Sequence, residues 1–539
     1  MAPRFTVTIL LLALSIAACD TATGRRNEDP GTNDAPQSFQ EHDVSCDELD
    51  VFIERTRRGY VPRRSPDLSL IVHEPNYVGA PTAAVHTGPF DFLAEVPLVF
   101  FGPGHVAERG PVQDSATMAD VAPTIARMIE FDDFDSPDGR ALDVNGESEK
   151  PPRLVVTVVW DGGGWNTLEQ HPEAWPFLDS IIRRGVSFEK MTVGSTPTVT
   201  PPIHTTLGTG AFPSRHGVPH VRMTTEAGGY IDPFEGNSAR KTKIPSLGDL
   251  YDRAMDNTPV VGVVATVNWH LGMIGSGTHI EGGDHDLAAL LDSSGSVYGN
   301  AENYELPADL SDPTLLADRA SAVDALDGTR DGEWRGHELD DTEVRYSSPA
   351  WVRFQQTILE RAISTRGFGA DEVPDLLFSN FKSIDGVGHV WGMESPEEGD
   401  VVRATDHALR ALVKHLNLTV GRKQWVLIVT ADHGTARFAP DIGAWAIRGR
   451  ELQADLNREF DVKGPPVVER VNSAGIYLEE RQRPLVDVRA MSRWLLGYTA
   501  TDNLLDIDEV PRYYADKAHE PLIDAVLDGP RVAARSCRD

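Results

Sequence analysis

The chain is 539 residues long, 40% hydrophobic, and carries a formal net charge of −32. That length accommodates one large α/β domain with insertions or two to three ordinary domains. The charge argues against nonspecific attraction to nucleic acid or anionic lipid, both of which are bound through clustered Lys and Arg. A phosphate-bearing substrate would also be repelled unless the pocket supplied its own cations.

At the amino end, Arg4 precedes an apolar run over residues 5–18 that closes on Ile16-Ala17-Ala18-Cys19. This pattern predicts an export signal, and the run is too short to span a bilayer comfortably. The Ile-Ala-Ala-Cys stretch resembles a bacterial lipobox, which implies a signal peptide over 1–18 and a lipid on the Cys19 sulfur. The protein would then be an anchored lipoprotein facing the periplasm or cell exterior; an ordinary secretory signal is the alternative. Residues 19–43 are rich in Thr, Asn, Asp, Gly and Pro without hydrophobic periodicity and read as a flexible tether. Residues 44–539 read as a single catalytic domain.

Within that domain, short β-branched runs stop abruptly at polar or glycine residues, as buried parallel strands do when they feed a loop. Residues 68–72 precede the loop holding His86, and 154–160 end in Asp161-Gly162. A core strand is expected over 260–266, while 376–381 lead to Lys382 and Asp385, and 425–430 to Asp432-His433-Gly434. Helical spacing over 402–416 separates the last two runs. The alternation predicts a mostly parallel sheet covered by helices, with ligands beyond the carboxyl ends of its strands. Between these runs, Thr200 suits an N-cap and Pro201 the first helical position. A helix starting there would offer unpaired N–H groups and a positive dipole end to a threonine alkoxide and a phosphoryl group.

The segment Thr200-Pro-Pro-Ile-His204, then Thr209-Gly210 and Pro213-Ser-Arg-His216-Gly217, resembles the nucleophile region of type I phosphodiesterase/nucleotide pyrophosphatases, a branch of the alkaline phosphatase superfamily. Asp161-Gly162, Asp385-x-x-x-His389-x-x-Gly392 and Asp432-His433-Gly434 extend the resemblance over most of 150–435. Each motif is short and weak alone; their order and strand-end placement give them weight. The resemblance implies an alkaline-phosphatase-like three-layer α/β sandwich with an inserted cap, and makes Thr200 the nucleophile. It further implies two Zn2+ ions, with other divalent metals as alternatives. Asp161, Asp432, His433 and the Thr200 oxygen would hold one, and Asp385, His389 and a further histidine the other. Asp and His are common zinc ligands in any case.

In the family's chain order that last histidine follows the Asp-His-Gly motif. Here the matching stretch lies near the beginning: Ala84-Val85-His86-Thr87-Gly88, an apolar strand, then Gly102-Pro103-Gly104 and Asp120-Val121-Ala122-Pro123-Thr124. The resemblance therefore implies a circular permutation. Residues 65–145 would stand for the family's usual carboxyl-terminal part, 152–480 for the main core, and about 267–371 for the cap. His519 is the rival to His86, in a context that reads as an exposed helix. With Cys19 assigned to lipid, Cys46 and Cys537 stand at the two ends of the mature domain, where an oxidising compartment would let them pair and staple the new termini. Two unpaired thiols are the alternative.

The family carries an asparagine shortly after its His-Gly pair, and this chain has Val221 there, leaving Lys382 and His220 as substitute phosphoryl-oxygen donors. The expected activity is hydrolysis of a phosphodiester or related small phosphoester through a phosphothreonine. Phosphomonoester hydrolysis is the nearest alternative, and a catalytically inactive surface-binding lipoprotein the remaining one.

Overall fold

The computed structural model describes residues 44–539, apart from 226–227, 462–463, 505–506, 535 and 538–539. The signal segment, the tether and Cys19 lie outside the described residues. No described helix is long and apolar enough to cross a membrane.

Two sheets organise the chain. Their strands are β1 (Leu68–Val72), β2 (Leu98–Phe101), β3 (Gly110–Thr117), β4 (Leu154–Trp160), β5 (Val186–Thr192), β6 (Val261–Ala265), β7 (Leu287–Leu291), β8 (Val297–Tyr298), β9 (Asp375–Phe381), β10 (Trp425–Thr430), β11 (Val468–Asn472), β12 (Gly475–Leu478) and β13 (Ile523–Asp528). The large sheet has the order β8-β7-β6-β9-β4-β10-β2-β5-β3. Its centre, β7-β6-β9-β4-β10, is parallel, and β2 runs against both of its neighbours, β10 and β5.

Period-2 alternation explains why the central strands read as unbroken apolar runs. Leu154, Val156, Val158 and Trp160 of β4 belong to one core with Leu377, Phe381, Leu427 and Val429. Val155 and Val159 point the other way, into a core with Leu376, Phe378, Val426 and Ile428. The first core is closed by the helices Pro349–Thr365 and Pro396–Leu416, through Trp351, Phe354, Leu409 and Leu412 among others. The second is closed by Val121–Met128 and Thr200–Thr209, through Ile125, Ile203 and Leu207. This is the expected three-layer α/β arrangement.

Two expectations need correction. Residues 68–72 do not join the parallel sheet: β1 lies in a smaller four-stranded sheet, β11-β12-β1-β13, antiparallel to both neighbours. A short apolar run fixes burial but not the sheet it enters. Residues 267–371 are also not all cap. They supply β7 and β8 to the large sheet and the helix Pro349–Thr365, whose Trp351 and Phe354 are core residues.

The smaller sheet has its own core, with Phe52, Ile53, Leu70, Trp445, Ile476 and Leu522. Ser45 caps the helix Cys46–Gly59 in a capping box with Glu48. Arg55, buried in that helix, donates to Pro89 O at 2.5 Å and pairs with Asp91 at 2.7 Å, while its own carbonyl accepts from Thr196 N at 3.2 Å. One helix thus ties the loop of His86 to the loop before Thr200. Cys46 and Cys537 are joined as a disulfide, with Cα atoms 5.4 Å apart across 491 residues.

A cross-link closing so long a loop restricts the unfolded chain, an effect of about 2–5 kcal/mol. Cys46→Ser is therefore expected to lower the denaturant midpoint, and the wild type under reductant to match it. Equal midpoints for variant and oxidised wild type would contradict this.

Candidate active site

Five chain segments converge at the carboxyl ends of β4, β9 and β10. Asp161 follows β4, Lys382 and Asp385 follow β9, and Asp432-His433 follow β10. Thr200 opens the helix Thr200–Thr209. His86 arrives on the loop leading to β2. Asp161, Asp385, Asp432, His433 and Thr200 are almost wholly inaccessible, and His86 is 8% exposed.

The glycine after Asp161 is required by close approach. Gly162 has φ +73°, and a Cβ there would lie 2.9 Å from Asp385 Cα. Its N–H donates to Asp432 Oδ1 at 3.1 Å, which links two of the carboxylates through backbone.

His86, His389 and His433 are tethered in the same way. Each is held through Nδ1 by a backbone carbonyl: His86 on Thr198 at 2.7 Å, His389 on Ala84 at 2.7 Å, and His433 on Gly434 at 3.0 Å. A ring whose Nδ1–H donates presents the Nε2 lone pair, as a metal-ligating imidazole does. Those Nε2 atoms face the carboxylates. His389 and His86 lie 3.2 and 3.6 Å from Asp385 Oδ1, and His433 lies 3.5 Å from Asp161 Oδ1 and 3.6 Å from Asp432 Oδ2. Asp385 Oδ1, Asp432 Oδ2 and His433 Nε2 are buried without a hydrogen-bond partner. These histidines belong to two ligand clusters, His86, Asp385 and His389, and Asp161, Asp385 and His433, and Asp161 also groups with His204 and His270. Orphaned oxygen and nitrogen donors of these types fit divalent cations.

Lys382 reaches into the same space. Its Nζ donates to Asp385 Oδ2 at 2.6 Å and Asp161 Oδ1 at 2.9 Å, and lies 3.4 Å from Thr200 Oγ1. Burial opposes its charge, but Asp161, Asp385 and Asp432 hold its pKa above the ordinary lysine value. Burial likewise opposes ionisation of Asp385, yet His389, Lys382 and His86 keep it well below the usual carboxylate range. His433 is pushed up to about 9: burial works against its charge, and Asp432, Asp161 and Asp385 outweigh burial. His86 goes the other way, well below its ordinary value, through burial and then His433.

The helix that Thr200 opens departs from expectation in two respects. Val199 is the N-cap and Thr200 the first helical residue, a one-residue shift. Pro201 and Pro202 carry no N–H, so the first turn offers far fewer backbone donors than an ordinary helix start. The helix is buried on all sides. Thr205, Thr206 and Thr209 satisfy their hydroxyls on the carbonyls four residues earlier, at 2.6–2.9 Å.

His220 makes none of these contacts. Its Nδ1 accepts from Val221 N at 2.9 Å, and burial lowers its pKa to about 4. His519 is exposed and belongs to the lobe of the smaller sheet.

Behind the carboxylates stand three side chains to which the motifs assigned no role. Asn380 Nδ2 donates to Asp161 Oδ2 at 2.9 Å. His204 Nε2 lies 3.3 Å from Asp432 Oδ2, and its Nδ1 is 2.9 Å from His270 Nδ1. His204 is four residues from Thr200 on one helix, which puts both on the same face. Helical spacing could have identified it; nothing local in sequence indicated His270.

A buried set of Asp and His donors beside a threonine, at the strand ends of an α/β sandwich, defines a metal-dependent hydrolase type of site. Residues 155–503 match the Type I phosphodiesterase / nucleotide pyrophosphatase family, and the chain belongs to that family. It is 24% identical over 358 residues to the alkaline phosphatase PafA of Elizabethkingia meningoseptica, covering 58% of this chain and 65% of that protein. It is 25% identical over 290 residues to ectonucleotide pyrophosphatase/phosphodiesterase family member 7 of Homo sapiens, covering 53% and 49%. The chain thus spans less than two thirds of either relative. The crystal structure of wild-type PafA superposes with a TM-score of 0.51 at 17% identity, over 70% of this chain and 85% of that one, which establishes an alkaline-phosphatase-like fold.

A ligand that binds only the folded state stabilises it by mass action. Chelation is expected to lower the thermal midpoint by several degrees and zinc to restore it, whereas Asp432→Ala should show little response to either. An unchanged midpoint in wild type after exhaustive chelation, verified by elemental analysis, would contradict the assignment of these donors.

Proposed function

We propose that the protein is an exported phosphoesterase that hydrolyses a phosphodiester or related small phosphoester through a phosphothreonine at Thr200. The observation that carries this reading is the pairing of a buried threonine hydroxyl with two ligand clusters whose three histidines are held through Nδ1. Asp161, Asp432, His433 and the Thr200 oxygen would hold one divalent ion, and Asp385, His389 and His86 a second, zinc in our reading. When bound, the two ions would supply Lewis-acid stabilisation of the threonine alkoxide and of the leaving oxygen.

Thr200 Oγ attacks phosphorus, the bond from phosphorus to the ester oxygen breaks, and the alcohol leaves with a proton. Water then cleaves the phosphothreonine, releasing the phosphoryl product and regenerating the hydroxyl. Lys382, 3.4 Å from Thr200 Oγ1, would donate to a nonbridging phosphoryl oxygen. It thus fills the role that Val221 cannot. His220 is given no part in this step. The carboxylates of Asp161, Asp385 and Asp432, offset by Lys382, leave a formal charge of −2, which two divalent ions would turn to +2 and so attract phosphate to an otherwise acidic protein.

The lysine also supports a second reading. A positive charge beside the nucleophile favours a dianionic phosphomonoester over a monoanionic diester, and PafA is itself an alkaline phosphatase. In either case we read the chain order as circularly permuted. Support comes from β2, whose strand sits between β10 and β5, and from His86 on the loop just before it. We further read Cys19 as the lipid attachment point, which would keep the catalytic domain at a membrane surface.

Hydrolysis of bis-p-nitrophenyl phosphate and p-nitrophenyl phosphate by the zinc-loaded protein tests the proposal. Thr200→Ala is expected to reduce turnover at least about 10³-fold with zinc content retained. Lys382→Met should cost about 10²-fold, and more on the monoester than on the diester. Full activity in Thr200→Ala would overturn the phosphothreonine, and a diester rate far above the monoester rate would set the second reading aside.

A further inference from the structure

The opposite end of the large sheet, where the parallel strands begin, holds a second carboxylate group. Asp252 lies on the helix Leu247–Ala254, which precedes β6, and Asp284 and Asp286 lie on the loop that enters β7. One carboxylate oxygen from each lies within 4.8 Å of the other two. Asp252 is 4% exposed and Asp286 6%, while Asp284 opens to solvent. Asp252 Oδ1 is fully buried and has no hydrogen-bond partner. Its other oxygen accepts from the Asn257 amide at 3.2 Å when that amide is oriented to donate both there and to Gly282 O. Among the described residues, no Lys, Arg or His side chain forms an ion pair with any of the three.

Buried like charges this close must be neutralised, or one of them must take up a proton. In keeping with that, burial and then Asp284 push the Asp252 carboxyl up to about 7. An ammonium or guanidinium partner is absent from the ion pairs of the described residues, so Asp252, with one oxygen orphaned, stands beside two further carboxylates without a compensating charge. A cation on those oxygens would satisfy all three groups at once.

We propose that Asp252, Asp284 and Asp286 form a calcium site, separate from the catalytic centre. The donors are all carboxylate oxygens, which select a hard cation over zinc. Three carboxylates whose oxygens lie within 4.8 Å of one another can share one ion, and calcium, with its flexible shell of six to eight oxygens, suits such a set better than magnesium, which holds to a near-ideal octahedron and keeps most of its waters. The exposed side at Asp284 leaves room for the waters that complete a coordination of six to eight. Calcium here clamps the helix before β6 to the loop before β7. It thereby fixes the amino ends of two adjacent parallel strands next to β9, the strand that delivers Asn380, Lys382 and Asp385 at its far end. Its role is structural, and it stands whatever substrate the catalytic centre takes.

The test is calorimetric titration of the zinc-saturated protein with calcium chloride, and separately with magnesium chloride, alongside thermal melts. Zinc saturation keeps the catalytic donors out of the measurement. Wild type is expected to bind one calcium ion, with a Kd on the order of 10⁻⁴–10⁻³ M, and to melt several degrees higher at about 10 mM calcium. Asp284→Asn, at an exposed position that tolerates substitution, should lose at least about tenfold in affinity. It should lose the thermal shift as well, and melt no lower than wild type without calcium because one repelling charge is gone. Asp252→Asn should behave alike. Absence of any calcium response in wild type, an identical response in Asp284→Asn, or a response to magnesium alone would each overturn the proposal.

Discussion

Three carboxylates, Asp161, Asp385 and Asp432, are buried side by side at the ends of three adjacent parallel strands, and the rest of the site answers to that constraint. An isolated buried carboxylate is expensive, and three together require positive charge on the spot. Lys382 supplies one charge directly between Asp161 and Asp385. Asp385 Oδ1 and Asp432 Oδ2 face the Nε2 atoms of His86, His389 and His433, whose far sides are tied to backbone carbonyls. Such a site is kept at the expense of stability, and its geometry makes sense as a receptacle for cations rather than as a packed core.

The carboxylates come from neighbouring strands, but the histidine that completes the second cluster arrives from the other end of the chain. His86 is held by a reciprocal contact: its Nδ1 donates to Thr198 O at 2.7 Å, and the Thr198 hydroxyl donates back to His86 O. The loop of the histidine and the loop before Thr200 therefore brace each other two residues ahead of that threonine. Farther out, Arg55 and the Cys46–Cys537 disulfide fasten the amino-terminal helix to both the His86 loop and the chain's far end. On the permuted reading, these contacts do the work that chain continuity does elsewhere in the family.

Much of this was legible in sequence because burial on both faces leaves an unmistakable trace. Leu154–Trp160 and Trp425–Thr430 are unbroken apolar runs followed at once by chemistry-bearing residues, so strand, direction and ligand position could be read together. The signal failed where a run was short or its composition mixed. Leu68–Val72 looks the same whether it enters a parallel or an antiparallel sheet. Leu287–Leu291 sits amid Gly, Asp and Ser, a composition that reads as part of a cap. Asn380 and His270 carry no motif of their own, and only the fold brings them behind the carboxylates; His204 stands one helical turn from Thr200 in the quoted segment, where spacing alone points it to the same face. The paired prolines after Thr200 are plain in the sequence, but their consequence, a helix start poor in N–H donors, matters because Lys382 stands 3.4 Å from the Thr200 hydroxyl.

On the proposed reading, two metal positions share one pocket, with His86 reaching it from a segment far from the other donors in sequence. Anomalous diffraction at the zinc edge from crystals of the zinc-loaded protein would test this most directly. Two peaks are expected within bonding distance of the protein donors, one among Asp161, Asp432, His433 and the Thr200 oxygen, the other among Asp385, His389 and His86. A single peak, or a second one that His86 does not reach, would contradict the assignment of that histidine and with it the permuted reading of the fold.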